Sequence, residues 1–169
     1  MSIEIDHLNW AKAQSPVPVR ELVRLLDIRL DASAMEPSQS AYIKKHEDGS
    51  FTIGVNTTEG DQRQRFSIAH ELGHYYLHRD LLPAGGVHAD RLFGGGVNPS
   101  GVLTPRHETQ ANQFAADLLM PKASLHGLWD EFNKHESIRN IAAAFDVSRK
   151  AAKWRVINMD LATRTDFGL

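Results

Sequence analysis

Between Asp61 and Arg79 the residues Phe66, Ala69, Leu72, Gly73, Tyr76 and Leu77 recur every three or four positions. A stripe of this kind belongs to an α-helix with one face turned into a core, so this segment is the element around which any fold of the chain must be built. The same helix carries His70-Glu71-Leu72-Gly73-His74. Residues four apart share a helical face about 6 Å apart along the axis, so the two imidazoles can reach one divalent ion. Glu71, beside the first imidazole, approaches a water at that ion from the flank. Packing alone does not justify two histidines and a glutamate on a buried stripe, because they offer little apolar area and are costly to bury.

The rest of the chain is organised around this helix. Val19, Leu22, Val23, Leu25 and Leu26 follow Pro18 at helical spacing and predict a first helix. Ile28, Leu30 and Ala32, then Tyr42 with Lys44, then Phe51, Ile53 and Val55 after the Asp48-Gly49 turn signal, alternate as three short antiparallel strands. From Leu82 to Arg106 two glycine clusters and three prolines predict a loop, a candidate lid beside the central helix. Its triple glycine, Gly94 to Gly96, has no following Lys-Ser or Lys-Thr and so does not read as a phosphate cradle. Glu108 to Met120 is helical again and stops at Pro121, and short helices follow over Leu125 to Phe132, Ile138 to Phe145 and from the cap Ser148 to about Met159. The fold class is α+β, with a small three-stranded antiparallel sheet and a helical C-terminal region. Residues 1–122 are expected to form one domain, with residues 123–169 a helix-turn-helix-like region packed on it.

Composition removes several alternatives. The chain has no cysteine, which excludes disulfides and thiolate metal sites and leaves His, Asp and Glu as ligands. Nineteen Lys and Arg against 21 Asp and Glu give a net charge of -2, so no global field draws the protein to nucleic acid. No apolar run is long enough to cross a membrane and the N-terminus has no leader pattern, so a cytoplasmic protein is expected.

A catalytic zinc takes three protein ligands and keeps a position for water. His78 lies eight residues from His70, about 12 Å along the axis, too far for both to hold one ion. The third ligand must come from later in the chain, where His88, Asp90, His107 and Glu108 are the candidates. Glu108 is preferred because it opens an amphipathic helix, with Asn112 one turn on to hydrogen-bond a ligand from behind. The rival account of Glu108 is a favourable charge at a helix N-terminus. His107 is a possible hydrogen-bond donor on the substrate side, and His78 and His88 read as structural or surface histidines.

Arg63-Gln64-Arg65-Phe66-Ser67-Ile68-Ala69-His70-Glu71-Leu72-Gly73-His74, Leu77-His78, and Glu108-Thr109-Gln110-Ala111-Asn112-Gln113-Phe114-Ala115-Ala116 leading to Leu118-Leu119-Met120-Pro121 together resemble the ImmA/IrrE family of metallo-endopeptidases. The likeness extends loosely from Val19 to Leu161. It implies a zincin-like metallopeptidase of the gluzincin kind, with one zinc ion held by His70, His74 and Glu108 and with Glu71 as general base for the attacking water. It implies a helix-turn-helix transcriptional repressor as substrate, since family members cleave or otherwise inactivate such repressors, and hence an anti-repressor role. Longer members add a sensor domain, so control of this chain is expected by another route, such as a partner protein.

The last two helices carry Arg149, Lys150, Lys153 and Arg155 on the second, a pattern compatible with a helix-turn-helix that touches DNA. The turn has Asp146 where that motif usually has Gly, and a helix pair that completes the core and docks the substrate accounts for the same pattern. A non-catalytic regulator, or a toxin-antitoxin component that binds a repressor or DNA, is the alternative to the peptidase.

Overall fold

The protein is described by a computed structural model at residues 3–91 and 102–169. Four strands form one mixed sheet in the order β1-β3-β2-β4, with β1 at Arg29–Ser33, β2 at Gln39–Lys45, β3 at Phe51–Asn56 and β4 at Val87–Arg91. The expected three-stranded antiparallel sheet is therefore corrected in two respects. β3 pairs antiparallel with β2 but parallel with β1, in register Leu30 to Ile53 and Ala32 to Val55, and β4 adds a fourth strand antiparallel to β2.

The reason lies in β3, where every residue after Phe51 is buried. A strand covered on both faces belongs inside a sheet, so β3 enters between β1 and β2, and the link from β1 to β2 passes around its end. Buried Asn56, the last residue of β3, fixes that link. Its Oδ1 accepts from Met35 N at 3.1 Å and Thr58 N at 3.0 Å, and its Nδ2 donates to Gln39 O at 2.8 Å. Gly49, at φ +85°, makes the β2–β3 turn that the Asp48-Gly49 pair predicted. Gly54 opposes Tyr42, whose ring lies where a Cβ on Gly54 would be, and Tyr42 Oη donates to Asp31 Oδ2 at 2.8 Å.

Seven α-helices and a short 3-10 turn at Thr165–Phe167 occur among the described residues: α1 Ile3–Lys12, α2 Val19–Leu25, α3 Asp61–His78, α4 Pro105–Leu119, α5 Lys122–His126, α6 Lys134–Phe145 and α7 Arg149–Asn158. Helix α3 lies against the sheet with Ile68, Ala69 and Leu72 in the core, and α4 packs along α3 through Ala111, Ala115 and Leu118. α4 begins three residues before Glu108, with Pro105 in its first turn, and α5 is shorter and earlier than expected. The Leu82 to Arg106 segment is not all loop, because β4 lies inside it. Residues 92–101, with the triple glycine of the expected lid, lie outside the described residues. No helix among the described residues is long and apolar enough to cross a membrane.

Helix α1 has no apolar stripe to predict it. Ile3, Ile5 and Trp10 are exposed and only Ala11 is fully buried. Its anchor is polar: both Glu4 oxygens accept from Arg79 Nη1 at 3.0 Å, Tyr75 Oη donates to Glu4 Oε1 at 3.1 Å, and Tyr76 Oη donates to the Glu4 carbonyl at 3.0 Å. The Arg79 hydrogen bond, against the opposing effect of burial and with Tyr75 adding to it, holds the Glu4 carboxyl below its usual 4.5. A lowered carboxyl pKa contributes stability above about 4.5 that is lost as pH falls through the folded value. The pair is about one-third exposed, so solvent screening limits it to roughly 0.5–1 kcal/mol. Glu4→Gln should cost about that much in urea unfolding at pH 7, with the gap to wild type closing as pH drops below 4.5. A gap that persists in acid would show that the charge is not what holds α1.

Candidate metal centre

The centre is set by how closely two helices approach. A Cβ built on Gly73 of α3 would stand 3.0 Å from Ala111 Cα and 3.1 Å from the Ala111 carbonyl oxygen on α4. Only a hydrogen at that position lets the backbones pack this tightly. Glu108 lies one turn before Ala111, and the approach carries its carboxylate to the His70 and His74 rings.

His70 Nε2 and His74 Nε2 are 3.0 Å apart. Glu108 Oε2 lies 3.2 Å from His70 Nε2 and Oε1 lies 3.5 Å from His74 Nε2. One ligand atom from each residue falls within 4.8 Å of the other two, and both histidines are buried while Glu108 is partly so. Ligands at roughly 2.0–2.1 Å around a tetrahedral zinc stand about 3.3–3.4 Å from one another, close to the observed separations.

The outer nitrogens settle the proton arrangement. His70 Nδ1 lies 3.0 Å from Asn112 Oδ1, an acceptor, so Nδ1 carries the proton and Nε2 keeps its lone pair. His78 Nε2 lies 3.1 Å from Gln110 Oε1, so His78 donates there and accepts at Nδ1, which is 3.1 Å from His74 Nδ1. His74 therefore donates from Nδ1 and also keeps its lone pair on Nε2. Two imidazole lone pairs and a carboxylate then converge with no proton among them, a donor set that suits a divalent cation.

Burial presses the same way. Desolvation, with the neighbouring His70 and His88 adding to it and Glu108 opposing it, lowers His74 to about 4, so its ring is neutral at physiological pH. Desolvation also lowers His78. For Glu108 burial favours the neutral acid, but the surrounding imidazoles, His88 among them, outweigh it and hold the carboxyl far below the usual range. Neutral imidazoles and an ionised carboxylate are the forms in which these side chains bind metals.

Of the other residues singled out in the sequence, Glu71 is wholly buried in α3 beside His70. Asn112 lies behind His70, its Oδ1 3.0 Å from the ring's Nδ1. His107 has a different setting: its Nδ1 accepts from Thr104 N at 3.1 Å, the part a Glu or Gln plays in a capping box, and its ring stands 4.7 Å from that of His78. Asp90 lies on β4, paired with Ala41. His78, excluded as a partner of His70 on one ion, is buried and holds the His74 ring from behind. His88, read as structural or surface and placed in a loop, is 1% exposed, with Nε2 3.1 Å from Glu108 Oε1. Sequence reasoning also missed Gln110. It lies two residues from Glu108, and no spacing rule connects it to His78. A cavity of about 960 Å³ between α3, α4 and α7 reaches Asn112 and is lined by Arg63, Phe66, Lys150 and Trp154 among others.

Residues 25–156 match the family described as the IrrE N-terminal-like domain. Over 88 residues the chain is 34% identical to the metallopeptidase ImmA of Bacillus subtilis (strain 168), a stretch covering 52% of this chain and 46% of that protein. The match therefore spans about half the length of that curated relative.

Gly73→Ala tests the helix contact. A methyl facing backbone atoms at 3.0 and 3.1 Å forces α4 outward by a few tenths of an ångström and carries Glu108 with it. Zinc affinity, read by competition with a chromogenic chelator, should fall at least about tenfold while the far-ultraviolet circular dichroism stays that of the parent. Unchanged affinity would show that Glu108 does not depend on this contact.

Proposed function

Because the chain belongs to the IrrE N-terminal-like peptidase family, we propose that it is a zinc-dependent endopeptidase of the zincin-like, gluzincin type. His70, His74 and Glu108 hold the ion, and Glu71 is the general base. The observation that carries this reading is the convergence of the two proton-free Nε2 atoms and the Glu108 carboxylate within 4.8 Å.

Zinc, when bound, polarises the scissile carbonyl and makes an attacking water a stronger acid, toward a pKa of about 7. The chain's own residues supply the rest. Glu71, next to His70 and sheltered from solvent, takes the proton of the attacking water and passes it to the leaving amine. Asn112 and the His78–Gln110 pair hold the two rings in the tautomer that keeps Nε2 without a proton. His107 serves the cap of α4 in this reading.

Residues 1–122 form the peptidase domain and residues 123–169 a helical region packed on it. We take the substrate to be a helix-turn-helix repressor, on the strength of the family resemblance, and the site of action to be the cytoplasm. DNA contact by α7 is less favoured. Arg155 is buried in an ion pair with Asp117, and Lys153 Nζ stands 5.4 Å above the Phe167 ring, which leaves Arg149 and Lys150 as the exposed pair of the four. Four phosphate-reading cations are thereby reduced to two, and a docking surface for the substrate fits the helix pair better.

The test is to incubate zinc-loaded protein with a helix-turn-helix repressor encoded beside it and to follow cleavage. Glu71→Gln should retain one zinc per chain and lose at least about a hundredfold in rate, and removing zinc with a chelator should stop the parent. A Glu71→Gln variant that cuts at the parent rate would end the assignment of the base. Lack of cleavage by the fully zinc-loaded parent would leave a regulator that works by binding, or a toxin-antitoxin component, as the better reading.

A further inference from the structure

We propose that His88 is a positioning residue of the metal centre, holding the Glu108 carboxylate in place from the edge of the sheet. The proposal rests on the reading of His70, His74 and Glu108 as metal ligands and adds a fourth residue from a third element.

His88 lies on β4, opposite Ile43 of β2 in register, between exposed Val87 and half-buried Ala89. Of these three His88 alone is buried, at 1% exposure, so its ring is on the inner side of the sheet edge. There it stands 4.8 Å from the His74 ring at 64°, and its Nε2 is 3.1 Å from Glu108 Oε1. A buried imidazole without a polar partner is costly, and the carboxylate is the partner this position supplies. Neither His88 nitrogen nor Glu108 Oε1 meets an aligned hydrogen-bond partner among the described residues, and with Nε2 and Oε1 3.1 Å apart a small turn of the ring or the carboxylate pairs the two.

A carboxylate needs such a partner because the terminal torsion of a glutamate is broad and roughly two-fold. Helix α4 fixes the Cα of Glu108 but not which oxygen faces the histidine pair. With His88 on Oε1, Oε2 is the oxygen left toward His70, at 3.2 Å. The converging ligand group is His70, His74 and Glu108, and His88 acts on it through Glu108.

The experiment measures the zinc dissociation constant of the parent, His88→Ala and His88→Gln by chelator competition. It also counts imidazole ligands by X-ray absorption at the zinc edge and records the melting temperature of each metal-free protein. The glutamine Nε2–H reaches near the position of the imidazole Nε2, so it replaces the donor. His88→Ala should bind zinc about 10–100-fold more weakly, His88→Gln should recover most of that loss, and all three should keep two imidazoles on the metal. Equal affinity of His88→Ala and parent would overturn the proposal, as would failure of His88→Gln to recover when its metal-free melting temperature matches the parent's. A parent with three imidazoles on zinc, reduced to two in His88→Ala, would overturn it in another way, by making His88 itself a ligand. A parent that takes up no zinc would remove the metal reading altogether, and this proposal with it.

Discussion

The contact between Gly73 and Ala111 is the constraint on which the centre depends. Helix α3 supplies two imidazoles on one face, but the carboxylate that meets both of their Nε2 atoms comes from another helix. Backbone-to-backbone approach at Gly73 turns α4 so that Glu108 meets both rings, while Ala115 and Leu118 bury themselves against the same helix and Phe114 stacks on Tyr76 at 5.4 Å. Small residues at the crossing and larger ones beyond it fix both the distance and the angle of the pair. Metal-ligand geometry tolerates little error, so apolar packing some distance from the ligands does the positioning.

What could be read in the sequence follows from which forces leave a periodic trace. The α3 stripe, the His70-to-His74 spacing and the amphipathic run after Glu108 are periodic, and all three elements occur where expected. Ser148 caps α7 as expected, its side chain accepting from Ala151 N at 3.1 Å. Helix α1 left no trace, because Glu4 ties it to Arg79, Tyr75 and Tyr76 across more than seventy residues by polar bonds rather than by an apolar face. Strand β4 left little more. Val87-His88-Ala89 between two glycine-rich stretches has weak strand propensity, and the unpaired edge of β2 makes it a strand. The parallel pairing of β1 with β3 was hidden for a similar reason: strand order depends on how fully β3 is covered, which alternation within each strand does not encode.

The turn between α6 and α7 shows how one residue can have two jobs. Asp146 adopts φ +50°, the left-handed conformation for which Gly is the usual choice. Asp tolerates this conformation better than most side chains, and here its carboxylate is also used: Oδ2 lies 3.4 Å from Arg65 Nε and Oδ1 accepts from Gln62 Nε2 at 3.3 Å. Arg65 further donates to the Phe145 carbonyl at 3.3 Å. Glycine would make the turn more easily but would not tie it to α3. The absence of glycine, which weakened the helix-turn-helix reading of the sequence, is explained by this docking onto the helix that bears both histidines.

The centre joins three parts of the fold: α3 through His70 and His74, α4 through Glu108, and the edge of the sheet through His88. Without a cation, proton-free Nε2 atoms 3.0 Å apart face a carboxylate in a buried setting, an arrangement that the surrounding packing has to enforce. On the metal reading, an ion removes that repulsion and binds only the folded chain, so it stabilises by mass action, about 2.7 kcal/mol when free zinc is a hundredfold above its dissociation constant. That amount is a sizeable fraction of the stability of a typical domain. On that reading part of the stabilisation reaches β4, a short edge strand whose buried His88 stands 3.1 Å from Glu108.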